Sequence, residues 1–254
     1  IRQFDHMLVC SPSGAISEDD RLDRGISTLR AYPMPLVEQA QVRLRHQRFA
    51  GTDAQRLQAL GMAFGLPQSS LIVCTRGGYG LTRLLPNMPL AQWAQQANHY
   101  GHLLCGHSDV TVLQLALLKA GAQPHTLLHG PMVCFDFGDP AGVHPVTQQY
   151  FEQAAFEHRV DVSWHAQPLH WPVLDETPPH AQVVTGPVWG GNLTMITSLL
   201  GTPWQPVVPN GILVVEDINE PLYRVERMLL QLLHSGVLAQ QKALVLGDWG
   251  NLKP

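Results

Sequence analysis

The sequence has no long apolar run and few charged residues. Its longest purely apolar stretches have the length of a strand, such as residues 7–10, whereas a transmembrane helix needs about 20 apolar residues. Charged residues make up 14% of the chain, and the basic ones form no cluster of the kind that follows a phosphate backbone. These absences exclude a membrane span and argue against nucleic acid as a partner.

Paired cysteines are also absent. The four cysteines form no CxxC motif, and three of them end short apolar runs, where cysteine usually packs as a small buried hydrophobe. This pattern favours a reducing, cytoplasmic compartment. The N-terminus lacks a basic segment followed by an apolar one, but the chain begins at Ile1 rather than at methionine, so a cleaved signal stays an open alternative.

Short β-branched or leucine-rich runs alternate with longer segments of helical periodicity in the first half of the chain. This alternation is typical of βαβ units, so we expect an α/β fold with a parallel sheet. Helices are expected at residues 18–31, at 52–65 after a capping box, and at 109–119 inside the protein. The predicted strands are His6 to Cys10, Gln41 to Leu44, Leu71 to Cys74, Leu103 to Cys105 and Thr126 to Leu128.

Prolines weaken the pattern between about residues 139 and 180, which predicts a crossing between two domains. After it we expect a strand at Gln182 to Val184, a glycine-rich turn at 189–192, a helix at 195–200, a strand at 211–215, and an amphipathic helix at 222–233 that Gly236 closes. The predicted organisation is an N-terminal α/β domain at 1–138, a linker at 139–180 and a smaller C-terminal domain at 181–254.

Ser108 lies at the sharpest feature of the sequence. The segment LCGHSD (104–109) runs from a predicted strand through Gly106 into a serine that opens a helix. On such a turn a hydroxyl stands clear of the sheet, and the first amides of the helix point toward any oxyanion beside it. Val110 stands where a hydrolase elbow would have its second glycine. The alternative interpretation is that Ser108 is an ordinary helix N-cap.

A second glycine-rich segment, CTRGGYG (74–80), also follows a predicted strand. Glycines there let a ligand or oxyanion approach the main chain, although neither of the common phosphate-loop patterns is present. A purely structural turn is an equally good interpretation of this segment.

Two carboxylates, Glu216 and Asp217, end a predicted buried strand, and ligands collect at such strand ends. We expect Asp217 to cap the following turn. Glu216 could instead orient a catalytic histidine and stabilise its imidazolium.

These segments together resemble the LD-carboxypeptidase family, serine peptidases that trim murein tetrapeptides and include microcin-immunity peptidases. The resemblance runs over nearly the whole chain. It rests on SPSGAI (11–16), RFAGT (48–52), RGGYG (76–80), GHSD (106–109), HGPM (129–132), WGGNL (189–193), VEDINE (215–220) and RVERML (224–229).

The resemblance implies Ser108 as nucleophile, Glu216 as orienting acid, and the amides of Gly78 and Asp109 as oxyanion donors. It also implies a parallel-sheet α/β domain followed by a smaller β-rich domain, a homodimer, and neither metal nor cofactor. The substrate would be a murein peptide that loses its terminal D-Ala during cell-wall recycling.

We expect four further residues to contact that substrate: Arg76, Gly77, Trp189 and Asn192. For the substrate carboxylate, Arg76 and Arg224 are both candidates, and either could equally be an ion-pair partner.

One departure concerns the base. The family's catalytic histidine lies in a segment beyond residue 254, and His107 beside the nucleophile is expected to point the wrong way. Residues 1–254 alone should therefore be inactive, because a serine without a base is a weak nucleophile. Two alternatives to a murein peptidase remain, namely a microcin-immunity-type peptidase and a non-catalytic α/β protein that binds a phosphate or sugar at residues 76–80.

Overall fold

The structure, a computed structural model, describes residues 2–157, 159–163 and 183–250. Its strands are β1 (His6–Cys10), β2 (Leu36–Glu38), β3 (Ser70–Cys74), β4 (Leu103–Gly106), β5 (Leu127–His129), β6 (Val188–Asn192), β7 (Gly211–Ile218) and β8 (Gln241–Gly250). Its α-helices are α1 (Asp19–Leu29), α2 (Asp53–Phe64), α3 (Leu81–Leu84), α4 (Leu90–Tyr100), α5 (Val110–Lys119), α6 (Pro145–Glu152), α7 (Leu193–Ser198) and α8 (Leu222–His234).

The first sheet contains five parallel strands in the order β2-β1-β3-β4-β5. Successive side chains point to opposite faces, so Ile72 packs with α2, α4 and α5 while Val73 packs with α1. Because both faces are covered, the central strands are apolar throughout rather than alternating. This confirms the parallel α/β architecture expected from the sequence.

The second sheet is smaller and contains three parallel strands in the order β6-β7-β8. Leu213 and Val215 of β7 share one hydrophobic cluster with Met228 of α8 and with α5. Helix α5 is buried at every position from 110 to 117, because it lies between the first sheet and the C-terminal part. The expected internal position of this helix is therefore confirmed.

Two local predictions are wrong. Residues 40–43 form a 3₁₀ turn rather than a strand at Gln41 to Leu44, and the edge strand β2 lies earlier. The buried Gln41 amide donates to the carbonyl oxygens of Ser11 and Ala50, so it joins two loops instead of a sheet.

The glycine-rich segment at residues 189–192 is a strand, β6, and not a turn. Gly190 and Gly191 have φ of +132° and +128°, and a Cβ at Gly190 would lie 1.9 Å from the carbonyl oxygen of Val214. Gly190 thus allows a close approach to β7.

The predicted strand at Gln182 to Val184 falls partly outside the described residues, and residues 183–185 are irregular. Much of the predicted linker, residues 164–180, also lies outside them. Among the described residues, no helix is long and apolar enough to cross a membrane.

Candidate active site

Ser108 lies on the turn between β4 and α5. Its φ is +60°, a left-handed conformation that costs a non-glycine residue about 1–2 kcal/mol. Helix α5 begins at Val110 with Asp109 at the N-cap position, so Ser108 lies one residue too early to cap the helix. Strained backbone of this kind occurs where a side chain must be presented in one direction.

Gly77 faces the Ser108 side chain and leaves no room there for a side chain of its own. A Cβ at position 77 would lie 2.8 Å from Ser108 Oγ and 3.2 Å from the Asp109 amide nitrogen. The Gly77 carbonyl accepts a hydrogen bond of 3.2 Å from the amide of Gly14, and Gly78 follows with φ of +110°. The structure thus brings the glycine-rich loop at residues 76–80 against the serine turn.

The Asp109 side chain is buried beneath this turn. Its Oδ2 accepts hydrogen bonds from Ser13 Oγ at 2.7 Å and from the Leu81 amide at 3.1 Å. Burial raises the pKa of Asp109, and these two hydrogen bonds act in the opposite direction. The Asp109 side chain therefore ties the serine turn to the two glycine-containing loops. Only the backbone amide of Asp109 is then expected to contribute to an oxyanion site.

Arg76 begins the glycine-rich loop and has no carboxylate within 4 Å among the described residues. Its Nη1 donates to the Ala15 carbonyl at 3.1 Å, and its Nε is buried with no hydrogen-bond partner in the part of the chain that the structure describes. By contrast, Arg224 is about half exposed and lies 3.6 Å from Glu220. Of the two candidate arginines, Arg76 is the one beside the serine turn.

Glu216 and Asp217 point to opposite faces of β7. Asp217 accepts hydrogen bonds from Asn192, from the amide and hydroxyl of Thr194, and from the Ile218 amide. Asp217 therefore holds the start of α7 against β7. It also accepts the hydrogen bond of the Ile218 amide, in the direction of the following turn that we expected it to cap. Glu216 is partly exposed, and burial, followed by the charge of Asp217, raises its pKa.

Three residues near these groups, His107, Asp136 and His129, have no role in the sequence-based predictions. His107 Nε2 lies 3.4 Å from Asp136 Oδ2, and its ring centroid lies 6.0 Å from that of His129. His129 Nε2 lies 3.8 Å from Glu216 Oε1. The HGPM motif contained His129, but nothing in its spacing showed that the end of β5 faces β7.

A cavity of about 420 Å³ lies between α5 and the second sheet. Its walls are mostly apolar, and His129 and Glu216 are among its few polar lining residues. Trp189 lines it, while the indole Nε1 donates to Gln241 Oε1 at 2.8 Å.

Asn192 caps α7 through Oδ1 and donates to Asp217 through Nδ2. Its backbone amide donates to Thr111 Oγ1 in the first turn of α5, at 3.2 Å. Both side-chain groups of Asn192 are thus used within the fold, and Thr111 links the second sheet to the helix that follows Ser108.

The arrangement supplies a serine hydroxyl on a strained turn, backbone amides beside it, and a carboxylate at the end of a neighbouring sheet. These are three of the parts that acyl transfer requires, and a general base is the fourth. No group of three or more histidine, cysteine or acidic side chains suited to a metal ion occurs within the described ranges.

Comparison with known proteins identifies the family. The LD-carboxypeptidase N-terminal domain matches residues 7–128, and the LD-carboxypeptidase C-terminal domain matches residues 185–254. The murein tetrapeptide carboxypeptidase of Pseudomonas aeruginosa is 32% identical over 241 residues, which are 94% of this chain and 75% of that protein.

The crystal structure of muramoyltetrapeptide carboxypeptidase from Oxalobacter formigenes superposes with a TM-score of 0.84 at 37% identity, over 98% of this chain and 78% of that one. The microcin C7 self-immunity protein MccF of Escherichia coli is 24% identical over 257 residues, which are 93% of this chain and 73% of that protein. With both domains matched, the chain belongs to the LD-carboxypeptidase family and is a peptidase.

Proposed function

We propose that this protein is a serine-type LD-carboxypeptidase that removes the terminal D-Ala from L,D-linked murein tetrapeptides during cell-wall recycling. The observation that carries the proposal is the left-handed Ser108 turn with Gly77 packed directly against its hydroxyl. The relatives named for murein tetrapeptides, at 32% and 37% identity, support the substrate class.

In the proposed mechanism, Ser108 Oγ attacks the carbonyl carbon that precedes the terminal D-Ala. The hydroxyl proton passes to a histidine base, the family's catalytic histidine, and Glu216 orients that base and stabilises its imidazolium. The amides of Gly78 and Asp109 stabilise the oxyanion by about 3 kcal/mol each. The C–N bond then breaks, the amine of D-Ala takes the proton, and water hydrolyses the acyl ester on Ser108.

Arg76 is the proposed partner of the substrate's terminal carboxylate. Its guanidinium lies beside Gly78, since a Cβ there would be 3.7 Å from Nη2, and its Nε has no hydrogen-bond partner among residues 2–157, 159–163 and 183–250. An arginine can bind a carboxylate through two parallel hydrogen bonds. We expect Gly77 and Trp189 to border the substrate. Asn192 is expected to act indirectly, by holding β6 and α7 in place.

The proposal extends to the setting of the enzyme. Four buried cysteines without disulfides fit a reducing compartment, so we propose a cytoplasmic enzyme. A homodimer is proposed on the family resemblance alone. Neither proposal alters the chemistry at Ser108.

The test uses the full-length product of the gene. A fluorophosphonate probe should add one adduct at Ser108, and the enzyme should release D-Ala from an L,D-tetrapeptide. The variant Ser108→Ala should show neither reaction while keeping its circular dichroism spectrum. Wild-type D-Ala release by Ser108→Ala would contradict the proposal, and a wild-type protein that neither labels nor hydrolyses would favour the non-catalytic binding protein.

A second substrate in the same assay distinguishes the murein peptidase from a microcin-immunity-type peptidase. The same Ser108-dependent reaction on an aminoacyl sulfamoyl nucleoside, without release of D-Ala from the tetrapeptide, would retain the serine mechanism and overturn the murein substrate.

A further inference from the structure

Glu216 has a carboxylate oxygen without a hydrogen-bond partner. Its Oε1 is buried and accepts no hydrogen bond within the described residues, whereas the neighbouring Asp217 accepts several. A buried acceptor without a donor costs free energy. The imidazole of His129, with Nε2 at 3.8 Å, stands where such a donor would be needed.

Backbone of two neighbouring strands flanks His129. His129 ends β5, in register with Gly106 of β4. On its other side lies Gly191 of β6, where a Cβ would be 2.9 Å from the ring nitrogen Nδ1. Gly191 has φ of +128°, so both its conformation and its contact with the ring require glycine. The ring is therefore held between the two sheets.

The charged groups around this pair come from four elements. His107, on the turn after β4, faces His129 and is itself paired with Asp136. The second sheet contributes Asp217 beside Glu216 on β7 and Asp248 on β8. Burial, followed by the charge of His107, lowers the pKa of His129 to about 4. The imidazole is therefore neutral near pH 7, with one nitrogen that donates.

We propose that His129 is a positioning residue for Glu216, whose neutral imidazole donates its Nε2 hydrogen to Oε1 and holds the carboxylate ionised and turned toward the catalytic base. The separation of 3.8 Å is long for a hydrogen bond, but such contacts commonly tighten when substrate binds. The inference rests on the proposed function, because it gives His129 a role only if Glu216 orients the base.

The test compares His129→Leu, which removes the donor, with His129→Gln, whose amide restores a donor at a similar reach. We expect His129→Leu to lower kcat about 10-fold, the effect of losing a hydrogen bond to a charged group, while KM changes less than about 2-fold. The kcat profile should show an acidic limb set by Glu216 below the limb of the histidine base, and this Glu216 limb should move to higher pH, since an unsupported Glu216 is protonated more easily. His129→Gln should recover most of kcat and the wild-type limb.

A merely structural role for His129 would give a different pattern. It would leave the acidic limb in place or make His129→Gln as poor as His129→Leu, and either result would overturn the inference. If His129→Leu is insoluble, His129→Ala serves instead, because it also lacks the donor and adds no bulk.

A double-mutant cycle gives an independent check. On a Glu216→Gln background, His129→Leu should lower the residual rate no further, whereas a full additional loss would show that His129 acts elsewhere. Ser108→Ala separates the two levels of inference. If it keeps wild-type activity, the proposed function fails; if it is inactive while the His129 variants behave as wild type, only the role of His129 fails.

Discussion

Ser108 and Glu216 both lie at the carboxyl end of a parallel strand, yet the two sheets hold them differently. Around Ser108 the backbone is fixed by close contacts: a left-handed turn, Gly77 against the hydroxyl, and the buried Asp109 side chain below. Around Glu216 most hydrogen bonds go to the neighbouring Asp217, and Glu216 Oε1 accepts none from the described residues. The conformation of Ser108, the proposed nucleophile, is thus fixed by close packing. The position of Glu216, the proposed orienting acid, depends instead on the hydrogen bonds that its neighbour Asp217 makes.

The largest expected effect separates the two adjacent carboxylates. Glu216→Gln should lower kcat by about 10³- to 10⁴-fold with an unchanged fold, because the histidine base loses its ionised partner. Asp217→Asn should keep kcat within about 10-fold but lower the free energy of unfolding by about 2 kcal/mol, because its carboxylate holds the start of α7. Steady-state kinetics and thermal denaturation of both variants measure this difference. A severe kinetic loss in Asp217→Asn beside a mild one in Glu216→Gln would reverse the assignment.

The next effect tests whether shape constrains the nucleophile. Gly77→Ala places a methyl group 2.8 Å from Ser108 Oγ and should lower kcat/KM about 10²-fold, because a displacement of about 1 Å at a reacting group has that scale. Gly61→Ala is the matched control: in α2 its Cβ would meet only Trp93, at 4.0 Å. The control should keep wild-type activity, and an equally active Gly77→Ala would show that the serine turn is not tightly packed.

A smaller effect measures the strain on the turn. At φ of +60° alanine keeps the left-handed penalty, whereas glycine does not. Ser108→Gly should therefore unfold at a temperature about 2–4 °C above that of Ser108→Ala, which corresponds to about 1 kcal/mol in a protein of this size. Because both variants are expected to be inactive, differential scanning calorimetry is the readout. An equal or lower melting temperature for Ser108→Gly would mean that the turn stores no such strain.

The smallest effect concerns the charge around Glu216. Asp248 is exposed, and its charge contributes to raising the pKa of Glu216. Asp248→Asn should therefore lower that pKa and move the Glu216 limb of kcat/KM, below the limb of the histidine base, to lower pH by a few tenths of a unit at low salt, with a smaller shift at high salt. Asp161→Asn, at another exposed aspartate, should leave the limb unchanged. A shift of Asp248→Asn to higher pH would contradict the sign.

Much of the fold was accessible from the sequence because its central strands are covered on both faces. Runs such as Leu71–Cys74 are continuously apolar, and helices with caps or one apolar face, such as α2 and α8, have periodic patterns. The wrong predictions concern residues that are needed for a contact with a part of the chain distant in sequence. Gln41 uses its amide to join two loops, and Gly190 and Gly191 are glycines because a neighbouring strand and a histidine ring approach them, not because the chain turns there.

The sequence alone determined the parallel α/β architecture and the motifs that carry Ser108, Glu216 and the glycine-rich loop, because local patterns and short motifs are read along the chain. Only the tertiary structure decided that Ser108 adopts a left-handed conformation, that Asp217 rather than Glu216 takes the surrounding donors, and that His129 stands 3.8 Å from Glu216. The physical reason is that the close approach of β5 to β7 depends on how the second sheet packs on α5. The contact between His129 and Glu216 joins residues 87 positions apart in sequence. It therefore leaves no periodic signal in the chain.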